Sequence, residues 1–188
     1  VALKFLHGDV YRAYAFIADL AGVFFVVGLI WAVVRRYVQK PYRIRIKTKA
    51  DHAIGLGVLL AIGVTGFIAE GFRIALEGMP EGDNLAFIGY PLAHALKGMG
   101  GLEWWHRTWW IVHILSFIAF LVVLPTTMLR HMFTSPINMY LKDRDRPKGA
   151  MKAMPNLMET ELETFGASVV EDFTWKQLLD TDACTMCG

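Results

Sequence analysis

The chain has 188 residues, a net charge of +2 and a mean hydropathy of +0.39, and 55% of its residues are hydrophobic. The apolar residues come in long blocks rather than in alternation with polar ones, which excludes an ordinary water-soluble domain. The net charge by itself says little, and we expect no nucleic acid among the partners.

Three apolar blocks reach the ~20 residues that a helix needs to cross a bilayer. They run from Ala13 to Val34, from Ala53 to Phe72 and from Thr108 to Leu129. The first block is too long for a signal peptide, and basic residues follow it instead of a small-residue cleavage site. The predicted fold class is therefore an all-α, multi-pass membrane protein, embedded in lipid.

The charged residues between these blocks predict an orientation. Basic residues fill the connection from Arg35 to Lys49 and the region after the third block, whereas Glu77, Glu81 and Asp83 lie in the loop between the second and third blocks. Because basic loops stay in the cytoplasm, we expect the N-terminus outside and the C-terminus inside. The outer loop contains LAFIGYPLAHALKGM, which predicts a short amphipathic helix.

The chain divides into a transmembrane domain at 1–140, a cytoplasmic linker at 141–173 and a cysteine-containing segment at 174–188. The linker is rich in charge and proline and sustains no apolar face. Thr174 is the predicted N-cap of a short helix, WKQLLD, that leads into the cysteines.

His113 and His131 lie 18 residues apart at the ends of an apolar run. In one continuous helix this spacing is five whole turns, which places both imidazoles on the same face and roughly 27 Å apart, one near each membrane surface. Neutral imidazoles that face a helix bundle suit axial ligation of haem, and each haem then needs a second ligand from a neighbouring helix. The alternative is a pair of interfacial side chains.

Further candidates accompany this pair. Arg107 and Arg130 lie beside the two levels as possible contacts for haem propionates. His52 is a possible haem ligand at the inner level, although KADH could simply begin a helix. Glu70 and Arg73 share a helix face and form a possible quinone site, with a surface salt bridge as the alternative.

Asp19 is an isolated carboxylate in the first span and therefore a functional candidate, although helix capping or pairing with an arginine would explain it equally well. Gly63 and Gly66 in the second span allow a close approach, either of a haem or of another helix.

Cys184 and Cys187 form a C-x-x-C motif, which is how a 4Fe–4S cluster motif begins. A zinc site or a redox dithiol begins in the same way. Such a cluster needs four thiolates, and these are the two cysteines of the chain. We therefore expect either a fragment of a longer polypeptide or a different role for the pair.

The stretch WWIVHILSFIAFLVVLPTTMLRHMFTSPIN resembles the last transmembrane helix of the nitrate reductase gamma-subunit-like cytochrome b domain. The resemblance extends through GDVYRAY, RRYVQKP and TGFIAEGFRIA to ETFGASVVEDFTWKQLLDTDACTMCG. Together these segments are similar to membrane-bound oxidoreductases, such as the electron-transfer-flavoprotein:menaquinone oxidoreductases, in which this domain is fused to a heterodisulfide-reductase-like iron–sulfur module.

The resemblance implies three helices of a five-helix bundle that binds two b haems, with His113 and His131 as ligands. It implies that missing helices or a partner subunit supply the other haem ligands. It also implies a bacterial cytoplasmic (inner) membrane protein that transfers electrons between a cytoplasmic flavoprotein or iron–sulfur donor and menaquinone or another quinone. Two rival functions are a non-catalytic anchor for an iron–sulfur subunit and a redox or metal sensor that uses the cysteine pair.

Overall fold

The computed structural model describes residues 8–145, 156, 158–159 and 169–184. These residues form helices and turns, and no strand occurs among them. The chain divides into two compact units, of which the first reaches Thr127 and the second begins at Met128.

The described part of the first unit contains five α-helices. In chain order they are α1 (Gly8–Val33, continued by a π-helical segment Val34–Gln39), α2 (Tyr42–Lys47), α3 (Ala50–Leu76), α4 (Gly89–Leu96) and α5 (Leu102–Val123), with a 3₁₀ turn at Glu81–Asp83. The second unit contains α6 (His131–Tyr140) and α7 (Trp175–Asp182), with 3₁₀ turns at Met128–Arg130 and Val170–Asp172.

Among the described residues, three helices are long and apolar enough to cross a membrane, in agreement with the predicted number of spans. They are Gly8–Gln39, Ala50–Leu76 and Leu102–Val123. Large apolar side chains such as Phe24 and Val122 point outward, and none of the residues of α5 is buried. Apolar surface on this scale would be a liability in water, whereas lipid is a suitable solvent for it.

The third span differs from its prediction at both ends. It was expected from Thr108 to Leu129, but α5 occupies Leu102–Val123. Pro125 explains the early end of the helix. Proline has no amide hydrogen to donate to the preceding turn, and its ring clashes with a carbonyl of that turn. The amides and hydroxyls of Thr126 and Thr127 turn back to the Val123 carbonyl instead.

This interruption places His113 and His131 on different helices. His113 lies on α5 and His131 begins α6, with a turn and a 3₁₀ segment between them. The expectation that one continuous helix places both imidazoles on the same face, five turns apart, is therefore wrong. Their suitability as ligands has to be judged from the local contacts of each ring.

Close packing of the first unit depends on small residues. A Cβ atom at Gly63 of α3 would lie 2.6 Å from Val26 Cγ2 of α1, so glycine permits this approach of the two helices. The helix predicted between the second and third apolar blocks exists as α4, and Ala93 of α4 and Ala86 before it are fully buried near Ile74 of α3. The loop that contains α4 is thus folded onto the C-terminal end of α3.

The predicted helix before the cysteines is also confirmed. α7 begins at Trp175, and the Thr174 hydroxyl accepts a hydrogen bond from the Gln177 amide at 3.3 Å. The domain boundaries at 140 and 173 stay a prediction. Much of the expected linker, together with Cys187, lies outside the described residues.

Candidate functional site

The ring of His113 is held by a threonine of the neighbouring span. His113 Nδ1 lies 3.0 Å from Thr65 Oγ1, which belongs to α3. The Thr65 hydroxyl donates its own hydrogen to the Ala61 carbonyl at 2.6 Å. Since that hydrogen is already used, the hydroxyl accepts a hydrogen bond from the imidazole, so Nδ1 carries the proton and Nε2 the lone pair.

α3 lies unusually close to this imidazole. A Cβ atom at Gly66 would be 3.3 Å from His113 Cε1, so glycine admits the ring beside the α3 backbone. The ring was expected near the outer end of its span. Because α5 begins six residues before the predicted Thr108, His113 is instead the twelfth of its 22 residues, at the middle of the helix.

His131 has an equivalent arrangement with a different acceptor. It is the first residue of α6, and its Nδ1 forms a short hydrogen bond with the Met128 carbonyl. A carbonyl oxygen only accepts, so Nδ1 is again the donor and Nε2 holds the lone pair.

Both rings are therefore oriented by a hydrogen bond in the way that a metal-bound histidine needs. Such a histidine binds through one nitrogen, while its other N–H is fixed by an oxygen that sets the tautomer and orientation. Among the described residues there is no group of three or more histidine, cysteine or acidic side chains around one point.

His52 takes part in starting a helix. Its Nδ1 lies 2.9 Å from Asp51 Oδ1 and 3.3 Å from the Lys49 amide, at the first turn of α3. This is the capping role that the sequence left open beside the haem role. A ligand role for His52 stays a prediction.

The two candidate propionate contacts are both paired with acids. Arg107 lies 2.6 Å from Glu103 on the exposed surface of α5. Arg130 lies 2.8 Å from Asp182 of α7. A haem propionate would have to compete with these carboxylates for the two arginines, or share the arginines with them.

Arg73 is held in a network near the C-terminal end of α3. It binds the fully buried Asp83 through both of its terminal nitrogens, at 2.9 and 3.4 Å, and lies 3.3 Å from Glu77. The Tyr11 hydroxyl of α1 donates a short hydrogen bond to the same Asp83. The expected partner of Arg73 was Glu70, whereas Arg73 pairs with Glu77 and Asp83. The Tyr11 hydrogen bond to Asp83 joins α1 to this network.

Asp19 and Glu70 meet at the beginning of α4. Asp19 is 1% exposed, and its Oδ2 accepts hydrogen bonds from the Ile88 and Gly89 amides at 2.6 and 3.2 Å. Capping was one of the explanations considered for this carboxylate. A Cβ atom at Gly89 would lie 2.8 Å from the Glu70 carboxyl carbon, so that carboxyl group packs on the same turn.

Asp19 and Glu70 bring two carboxyl groups to one turn. Asp19 Oδ1 is buried and has no hydrogen-bond partner in the described part of the chain. The Glu70 carboxyl group packs against Gly89, whose amide donates to Asp19 Oδ2.

Cys184 is exposed and immediately follows the residues that end α7. An exposed thiol is available to a metal or cluster. Its partner in the motif, Cys187, lies outside the described residues.

Comparisons with known proteins give two curated relatives. No family model and no solved structure matches the chain. It is 31% identical over 194 residues to the EtfAB:quinone oxidoreductase of Syntrophomonas wolfei, across 97% of this chain and 26% of that protein. It is also 31% identical over 189 residues to the probable iron–sulfur-binding oxidoreductase FadF of Bacillus subtilis, across 96% and 25% respectively.

The chain thus spans about a quarter of the length of the curated relatives it matches. The names of these relatives support the iron–sulfur oxidoreductase part of the resemblance seen in the sequence. Neither name mentions haem.

Sequence reasoning missed Thr65 and Asp83. Thr65 lies 11 residues before the end of α3, and His113 lies 11 residues after the start of α5. Two antiparallel helices joined by one loop place such positions at the same depth, so counting from the loop identifies this pair. The sequence indicates Asp83 only as loop charge, because no spacing rule connects it with Tyr11, 72 residues away.

Proposed function

We propose that this chain is the membrane part of a quinone-linked oxidoreductase that moves electrons between a cytoplasmic donor and the quinone pool. The donor is a flavoprotein or an iron–sulfur protein, and the quinone is menaquinone or a related molecule. The names of the two relatives and the three apolar helices support this class of function. The proposed location is the bacterial cytoplasmic membrane.

The observation that carries the proposal is the state of the two histidines. Nδ1 of His113 is hydrogen-bonded to the Thr65 hydroxyl oxygen, and Nδ1 of His131 is hydrogen-bonded to the Met128 carbonyl oxygen. Both rings keep the Nε2 lone pair for binding a metal ion. A b-type haem bound at each position would supply one-electron transfer. The chain's own contribution is to fix the tautomer and direction of each ring. The second axial ligand would come from other helices of a five-helix bundle or from a partner subunit.

The haem-binding prediction is tested by replacing each histidine. With one haem at each position, His113→Ala and His131→Ala should each remove about half of the b-type haem, because loss of one axial ligand abolishes one site. The measurement is the haem-to-protein ratio and the α band of the dithionite-reduced membrane protein. His94→Ala is the matched control, since His94 is an exposed histidine of α4.

Each contrary result points to a defined alternative. A wild-type protein without a b-type α band contradicts haem binding. Full electron transfer by His113→Ala would favour a non-catalytic anchor for an iron–sulfur subunit. Zinc in place of iron at Cys184 and Cys187 would favour the metal or redox sensor.

Quinone chemistry requires a proton acceptor as well as an electron path, since oxidation of a quinol releases two protons with its two electrons. The proposed acceptor is Glu70, whose carboxyl group packs beside the buried Asp19 at the start of α4, and the Arg73–Asp83 contact supports the surrounding loop. Glu70→Gln should lower quinone-dependent electron transfer by about 10²-fold, the usual contribution of a positioned acid or base. The haem spectrum should stay unchanged, and Glu81→Gln, at an exposed acid of the same loop, should behave as wild type.

A further inference from the structure

The residue that precedes Cys184 is attached to the helix that His131 begins. Ser135 of α6 donates a hydrogen bond from its hydroxyl to the Ala183 carbonyl at 3.2 Å. Ser135 follows His131 by four residues, about one helical turn, so the two side chains project from the same face of α6. The backbone leading into the cysteine motif thus meets α6 one turn from the histidine.

Two charged contacts hold the rest of α7 on α6. Arg130 directly precedes His131 in the chain, and Asp182 is the last residue of α7. Arg130 Nη2 lies 2.8 Å from Asp182 Oδ1. Lys176 donates a hydrogen bond from Nζ to Asn138 Oδ1 at 2.6 Å, near the start of α7. The contacts occur at both ends of α7, which fixes its direction along α6 as well as its position.

α7 depends on this attachment. It has eight residues, and a helix of this length is marginal in water without tertiary contacts. None of its residues is buried, so polar contacts rather than an apolar core position it. A single partly exposed ion pair contributes little, whereas several contacts acting together define one docked arrangement.

We infer that the three contacts form a clamp that positions Cys184 against the helix of His131 and so fixes the separation between Cys184 and the histidine. The clamp comprises Arg130, Ser135, Asn138, Lys176, Asp182 and the Ala183 carbonyl. This inference rests on the proposed function, in which the cluster at Cys184 and Cys187 and the haem at His131 are successive electron carriers. Its members are positioning residues, and Arg130 is also the possible propionate contact named above.

The test uses charge exchange across the clamp in the membrane-embedded protein. Arg130→Asp and Asp182→Arg should each slow the reduction of b-type haem by the cytoplasmic donor by at least about fivefold, the population change that a small loss of docking free energy produces. Hydrogen exchange of the α7 amides should speed up by a similar factor. The double exchange, Arg130→Asp with Asp182→Arg, should restore both rates towards wild type. The haem and cluster spectra of Asp182→Arg should match those of wild type.

Asp9→Arg is the matched control, because it reverses an exposed ion pair on α1 with Arg12 and should change neither rate. If Arg130→Asp loses haem, Lys176→Met supplies an independent test at the other end of α7. Wild-type haem reduction in the single variants, with both carriers present, would overturn the inference and leave the proposed function standing. A wild-type protein without haem or without a cluster would overturn both, and hydrogen exchange would still report whether the clamp exists.

Discussion

At the scale of single residues, the direction of one hydroxyl hydrogen bond determines the tautomer of His113. Thr65 gives its hydrogen to Ala61 and can therefore only accept from His113. Threonine inside a helix usually satisfies its hydroxyl by such a bond to a preceding turn. Here this common bond also selects the tautomer of a histidine in the next span.

Thr65→Val tests that assignment, because it keeps the shape of the side chain and removes the acceptor. We expect haem affinity at the His113 position to fall about tenfold and its midpoint potential to shift, the usual effect of losing a hydrogen bond behind a metal-bound histidine. Haem titration and a potentiometric titration measure the two effects. Thr108→Val removes a similar hydroxyl bond to Trp104 on α5 without a histidine partner, and it should leave both values unchanged.

At the scale of elements, Asp83 joins three parts of the first unit. It pairs with Arg73 of α3, accepts a hydrogen bond from Tyr11 of α1 and lies in the 3₁₀ turn of the outer loop. A buried carboxylate of this kind is stable only while its cation is present. The network therefore fixes the outer loop on α1 and α3.

Arg73→Met should destabilise the protein by about 3–5 kcal/mol, because it leaves the buried Asp83 charge without its cation. Thermal unfolding in detergent measures this loss. Arg107→Met breaks an exposed pair with Glu103 and should cost no more than about 1 kcal/mol. Equal melting temperatures for the two variants would show that Asp83 is not buried as described.

The physical properties of helices and loops explain which parts of the fold could be predicted from the sequence. Apolar blocks predicted three spans because a bilayer demands a minimum length of apolar helix, and Thr174 was predicted because capping is local. The end of α5 was misplaced because hydropathy continues past Pro125 while the helix does not. The contact of Asp83 with Tyr11 could not be predicted, since it depends on how the loop folds back on α1.

At the scale of the whole molecule, the distribution of charge predicts which end of the helices faces the cytoplasm. The basic connection between α1 and α3 should lie inside and the acidic loop around Asp83 outside. The proposed direction of electron entry depends on this orientation, because Cys184 has to meet a cytoplasmic donor.

Single cysteines on the two sides decide the orientation. In a background with Cys184→Ser and Cys187→Ser, we expect Glu81→Cys to react with a membrane-impermeant maleimide in right-side-out vesicles and Lys142→Cys to react only in inverted ones. Both positions are exposed, so access to the reagent depends on the side of the membrane rather than on burial. The opposite labelling pattern would put the cysteine motif outside the cell, where a cytoplasmic flavoprotein or iron–sulfur protein could not reach it.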